Sequence, residues 1–160
     1  MRQRDTTGVS LAWNDGFLLK LELRSDPQIL SVVRGALERL TEVFGFSPPD
    51  RRSVTRAVDE ALTNIMRHCY NGQTDQPIEL YCSRVRQDGS DGLQILLCDH
   101  GPAVDPAKFR GRHLDEIKPG GLGLHFIRQS MDTVEYQRRG DTNEFRLVKY
   151  LKPSTQSQTP

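Results

Sequence analysis

Residues 53–70 read SVTRAVDEALTNIMRHCY, and their spacing sets how the rest of the chain is read. At about 100° per residue, Val54, Val58, Ala61, Leu62, Ile65 and Cys69 fall on one apolar arc of a helix. Glu60, Asn64 and His68 succeed one another at four-residue intervals along one edge of that arc, beside it and not opposite it. A border position looks over the rim of the core, where a carboxylate and a carboxamide can point into a cleft. The same stripe also reads as a solvated helix flank, and spacing by itself does not choose. Zinc is a poor reading. His68 and Cys69 are adjacent and point about 100° apart, and no further His or Cys stands at ligand spacing.

Upstream, Ser47-Pro48-Pro49-Asp50 supplies a capping residue followed by proline, so this helix starts there. It runs to about Tyr70 and ends at Asn71-Gly72. A first helix is expected from Ser25-Asp26-Pro27, with Ile29, Leu30, Val33, Leu37, Leu40 and Phe44 at helical spacing and Gly45 as its stop. Before it, Phe17–Arg24 alternates apolar and polar residues as a half-buried strand does. Downstream the period changes to two. Ile78–Val85 and Leu93–Asp99 read as strands joined by the turn-rich loop 86–92. Gly101–Gly120 has three prolines and no period, the mark of a lid or a disordered segment. Leu122–Met131 reads as a helix. Thr133–Arg138 and Glu144–Leu151 close the chain as a second hairpin around residues 139–143. The order strand, two helices, two strands, lid, helix, two strands predicts an α+β fold. That fold is a two-layer sandwich, its mixed, mostly antiparallel sheet covered on one face by three helices.

At 160 residues the chain is one ordinary domain, long enough to bury a core without staples. Residues 1–14 are expected to be a flexible N-terminus, 15–151 the domain with a lid at about 102–120, and 152–160 a disordered tail. Apolar residues make up 36% and charged ones 27%, too apolar for disorder and too polar for a membrane protein. Twenty-two Lys and Arg against 21 Asp and Glu leave a net charge of +1, so no field draws the chain to nucleic acid or an anionic membrane. Cys69, Cys82 and Cys98 form no C-x-x-C pair and leave an odd thiol under any pairing, which fits a reducing compartment. The N-terminus lacks an apolar signal core, and no apolar run exceeds four residues. The expectation is a soluble, cytoplasmic protein.

Two further places can carry chemistry. Asp99 ends a strand on the same parity as Leu93, Ile95 and Leu97, so its carboxylate faces the helix layer if they do. There it must find a donor; a ligand amino group or a local Asp-x-Gly turn would serve. Gly120-Gly121-Leu122-Gly123-Leu124 opens a helix whose bare amides suit an anion, although a lid hinge reads equally well. It is neither a dinucleotide fingerprint nor a Walker A loop, because no strand leads into it and no Gly-Lys-Ser/Thr is present.

In combination these motifs resemble the Bergerat-type ATP-binding fold, the superfamily of gyrase-like ATPases, Hsp90-type chaperones and sensor histidine kinases. Within it the chain most resembles the anti-sigma-factor serine/threonine kinases of bacterial partner switching. Glu60-Ala61-Leu62-Thr63-Asn64 with His68 and Tyr70 is similar to their helix motif, and Gly121–Leu124 through Glu135 to their second glycine box. Leu147–Leu151 is similar to their closing strand. The likeness covers about residues 17–151.

The resemblance implies that Asn64 ligates Mg²⁺ and that Glu60 orients or deprotonates the attacking hydroxyl. It implies that Asp99 accepts from the adenine amino group beside Gly101, and that Gly121 and Gly123 approach the phosphates. His68, Lys118, Leu122, Leu124 and Thr142 complete the implied ATP-binding set. The chain departs from the pattern at Pro102-Ala103, where a second glycine is usual. It departs again at Lys118-Pro119, where some relatives carry an arginine; Arg110 and Arg112 lie further back in the lid. The implied function is a cytoplasmic regulator that captures a sigma factor and phosphorylates a small antagonist protein. The implied state is a homodimer through the first strand and helix. Two alternatives are a nucleotide-holding partner-switching module without phosphotransfer and an ATPase fragment of another type in the superfamily.

Overall fold

Alternation from Phe17 gives strand β1 (Phe17–Arg24), whose Leu19, Leu21 and Leu23 pack against the core of the computed structural model, in which residues 16–105 and 122–153 are described. Asp26 then accepts from the Gln28 N–H at 2.9 Å and Pro27 opens a single 3-10 turn, Pro27–Ile29, which leads into α1 (Leu30–Phe44). Gly45, at φ 98°, ends α1 by donating to Glu42 O at 3.0 Å. Helix α2 (Pro48–Asn64) starts by the same device: the Ser47 hydroxyl accepts from the Asp50 N–H at 3.3 Å. The helical reading to Tyr70 holds in extent but not in winding. Beyond Asn64 the turn widens to a π-helical Ile65–Cys69, and Asn71 (φ 50°) and Gly72 (φ 79°) stop it.

The loop expected over 86–92 shrinks to two residues. Asp88 (φ 51°) and Gly89 (φ 81°) make a left-handed Asp-Gly turn whose twist matches its strands, so β2 (Pro77–Gln87) and β3 (Ser90–Asp99) extend to meet it. Helix α3 (Leu122–Ser130) and the hairpin of β4 (Thr133–Arg139) and β5 (Thr142–Tyr150) follow. That second turn also contracts, to Gly140-Asp141, which moves Thr142 and Asn143 out of the expected loop and into β5.

The five strands lie in the order β1-β2-β3-β5-β4, and every pairing is antiparallel. The parallel component allowed for a mixed sheet is absent among the described residues, for a topological reason. Two antiparallel helices between β1 and β2 reverse the chain, and β5 inserts between β3 and the co-directional β4. The helices cover one face. Their Leu37, Val54, Val58, Leu62 and Ile127 meet Ile78, Leu80, Cys82, Leu93, Ile95, Leu97 and Leu147 from the sheet in one buried core. The opposite face holds a small second cluster of Tyr81, Leu96 and Cys98. No helix among the described residues is long and apolar enough to cross a membrane. The N-terminus expected over 1–14, the lid beyond Asp105 and the tail beyond Pro153 lie outside the described residues.

Candidate functional site

Glu60 and Asn64 are half-buried on the flank of α2, where α3 packs along it. At Gly123 a Cβ would stand 2.8 Å from Cδ and 2.9 Å from Cγ of Glu60, so a methyl there would force the Glu60 side chain out of its place against the first turn of α3. One turn earlier on α2, the Arg56 guanidinium stacks 4.1 Å over the Phe126 ring of α3. Glu60 with Gly123 and Arg56 with Phe126 make an antiparallel seam. It leaves Glu60, then Asn64, on the side from which α3 begins.

Past Asn64 the π turn takes over, with Tyr70 N–H donating to Ile65 O at 3.0 Å. Wider winding rotates the later residues off the α-helical stripe, and His68, the third member of the sequence stripe, is exposed. Cys69 is instead carried toward the end of β3. A Cβ on Gly101 would lie 2.8 Å from Cys69 Cβ and 2.9 Å from Cys69 O, so this position requires glycine. Such local π turns are frequent at functional sites. Tyr70 locks the corner: its hydroxyl donates to Pro77 O at 2.6 Å and accepts from the His100 N–H at 2.8 Å.

Asp99 is buried on the helix-facing side of β3, as its parity requires. Its Oδ1 accepts from Gly101 N–H at 2.9 Å and from Asn143 Nδ2 at 2.8 Å. Burial pushes this carboxyl above the ordinary aspartate range, against the opposing pull of those two donors and of the nearby His100 and Arg138. Thr142 and Asn143 divide between the two faces of β5. The Thr142 hydroxyl lies 3.3 Å from His100 Nδ1, and Asn143 is the residue paired with Asp99. The sequence reading places Asn143 in the hairpin turn and gives it no role; its parity with Phe145 and Leu147 is the signal that sets it on the helix-facing side. All three cysteines are free, and burial pushes their thiols up to about 12, so they stand as neutral thiols at pH 7.

The structure thus brings Glu60 and Gly123 together at the α2–α3 seam, with Asn64 one turn further along α2. It brings Asp99, Gly101 and Asn143 together at the β3–β5 corner, while Leu124 lies half-buried in the first turn of α3. Lys118, Gly121, Arg110 and Arg112 lie outside the described residues, and Leu122 opens α3. The donor chemistry suits Mg·ATP. Among the described residues no group of His, Cys, Asp and Glu could hold a metal by itself. A cation bound at Asn64 would therefore rely on that amide oxygen and on ligand phosphates, as Mg²⁺ does. The two glycines let the carboxyl of Glu60 and the backbone of Cys69 approach closely, one at each end of the site.

The chain is similar to known proteins in sequence and in fold. The chain is 32% identical over 109 residues to the serine/threonine-protein kinase BtrW of Bordetella bronchiseptica, covering 66% of this chain and 74% of that one. It is 22% identical over 146 residues to the serine-protein kinase RsbW of Bacillus subtilis, covering 86% and 88%. Among solved structures, the RsbU and RsbW domains of a Mycobacterium tuberculosis protein share the fold at TM-score 0.58 and 16% identity. That likeness covers 85% of this chain, which spans 34% of the longer one. The SiaB–SiaC complex of Pseudomonas aeruginosa matches at TM-score 0.57 and 16% identity, covering 84% and 89%. Finally, the family model described as the histidine kinase-like ATPase domain matches residues 23–149, from the end of β1 to the end of β5. With so little of the fold left outside that match, the chain belongs to the histidine kinase-like ATPase domain family.

Proposed function

We propose that this protein is a serine/threonine-protein kinase of the partner-switching kind. In this reading it binds Mg·ATP, holds a sigma factor and phosphorylates a hydroxyl of a small antagonist protein in the cytoplasm. Membership in an ATPase-domain family and the kinase names of its relatives support the use of ATP. The observation that carries the reading is the Glu60 carboxyl seated against the bare Cα of Gly123, with Asn64 one turn further along α2.

In this reading Asn64 would offer its carbonyl oxygen to the cation, and the first amides of α3 would receive the phosphates. ATP supplies the phosphoryl group and Mg²⁺ the charge neutralisation. Glu60 orients the acceptor hydroxyl and takes its proton as the hydroxyl oxygen bonds to phosphorus and ADP leaves. At the other end the Asp99 carboxylate accepts from the amino group of the base. Arg56, fixed on Phe126, stands on the side of Glu60 away from Asn64.

The test is Glu60→Gln, which keeps volume and removes the basic site. Single-turnover phosphoryl transfer to the antagonist should fall by roughly 10²–10⁴-fold, while ATP affinity stays within a few-fold. Transfer at the wild-type rate would sink the role of Glu60. Wild-type protein that binds ATP and the antagonist but transfers nothing would mark a nucleotide-holding module instead.

A further inference from the structure

Asn143 is 2% exposed and makes more hydrogen bonds than any assigned role requires. Its Nδ2 faces three oxygens: Asp99 Oδ1 at 2.8 Å, Pro102 O at 3.1 Å and Gly101 O at 3.2 Å. Its Oδ1 faces two donors, the Arg138 guanidinium at 2.7 Å and the Tyr136 hydroxyl at 2.8 Å. An amide alone fits this pattern, because one end must only donate and the other only accept. Its neighbours extend the grip. Arg138 donates to Gly101 O at 3.0 Å, and the Val104 N–H donates to the Tyr136 hydroxyl at 3.1 Å. Gly101, Pro102 and Val104, in the segment leaving β3, are thereby tied to side chains of the β4–β5 hairpin.

We propose that Asn143, braced by Tyr136 and Arg138, is a positioning residue that aims the Asp99 carboxylate at the adenine amino group and anchors the segment Gly101–Val104 to the sheet. The proposal rests on the adenine role given to Asp99 above. Among the described residues both hydrogen bonds to Asp99 end on Oδ1, which leaves Oδ2 to accept from a ligand. Asn143 also holds the charge in place: it is the first of the contacts that pull the Asp99 carboxyl back down against burial. The other groups that Asp99 interacts with are Arg138 from β4, His100 beyond the end of β3, Cys69 from the π turn and Tyr70 after it, and its chain neighbour Cys98, which points to the other sheet face. Burial pushes the two thiols and the phenol upward, so they stay neutral, and His100 is the one imidazole beside Asp99.

The experiment uses the full chain in a His100→Gln background, with and without Asn143→Ala, and has two readouts. In Mg·ADP titrations across pH, losing a donor to a buried carboxylate should weaken binding about tenfold or more. It should also move the acid limb of the affinity profile to higher pH, because Asp99 then takes up its proton earlier. In the nucleotide-free protein, amide hydrogen exchange at Gly101 and Val104 should quicken about tenfold or more. Tyr136→Phe, a milder change, should quicken Val104 and leave Gly101 and the acid limb close to wild type. An unmoved acid limb together with unchanged exchange at Gly101 in the Asn143 variant would overturn the proposal, as would Tyr136→Phe leaving Val104 unchanged. If Asn143→Ala does not fold, the Tyr136→Phe exchange pattern decides. If wild-type protein binds no adenine nucleotide, the adenine role fails, while the exchange measurement still decides whether Asn143 anchors Gly101–Val104.

Discussion

At the scale of single residues, the site depends on what two glycines leave out. Gly123 leaves room for a carboxyl group of the same chain, and Gly101 for the backbone of Cys69. Gly123→Ala should therefore cost about 1–3 kcal/mol of stability, the usual penalty for overpacking, read as a shift in denaturation midpoint. The contact makes a sharper forecast. Glu60→Asp withdraws the carboxyl by one methylene, so Gly123→Ala should cost less in that background, with a coupling of about 0.5–3 kcal/mol. Strict additivity of the two changes would show that the methyl meets something other than Glu60. The adenine role proposed for Asp99 makes a forecast about the base. Guanine presents a carbonyl where the carboxylate needs a donor, so Asp99 should reject it.

At the scale of elements, α2 matters most, because it presents Glu60 and Asn64 and its first turn fixes its start. Ser47→Ala removes the cap and should cost about 1 kcal/mol, with the denaturant slope unchanged. The same cap makes an acid prediction. Burial opposes ionisation of Asp50, but the Ser47 hydroxyl at 2.8 Å and the Lys152 ammonium at 3.1 Å outweigh it and hold the carboxyl below the usual range. A carboxyl depressed in the folded state adds stability that is present at neutral pH. That stability is lost as the pH falls through the unfolded value near about 4 toward the folded one. Ser47→Ala should therefore lose less stability than wild type between pH 5 and pH 3, in acid titrations of the denaturation midpoint. An equal or steeper loss would remove Ser47 from the charge balance of Asp50.

At the scale of the whole molecule, one sheet face carries the helices and the site runs between that layer and the β4–β5 hairpin, so nucleotide should brace the fold. Mg·ATP or Mg·ADP at a hundredfold excess over its dissociation constant should add about 2.7 kcal/mol, seen as a raised melting temperature, and Mg·GTP should add little. Equal stabilisation by GTP would take the adenine role from Asp99. Much of this architecture was legible in the chain itself. Alternation in β1 and β3, the Ser47 and Asp26 caps, and the glycine after α1 are local chemistry, in which each residue's preference is met by neighbours a few positions away. The Glu60–Asn64 stripe and the parity of Asp99 were legible for the same reason. What only the tertiary structure decided lies between residues far apart in sequence. Whether the stripe was a solvated flank or a seam depended on α3 arriving with Gly123, more than sixty positions after Glu60. The π turn that carries Cys69 to Gly101 has no sequence period of its own. Asn143 looked like a turn residue until the Gly140-Asp141 turn tightened and the antiparallel register set it opposite Asp99. Helical and strand periods record which face a residue turns to the core. Which residue meets it there is set by strand order and packing, and no local pattern encodes that.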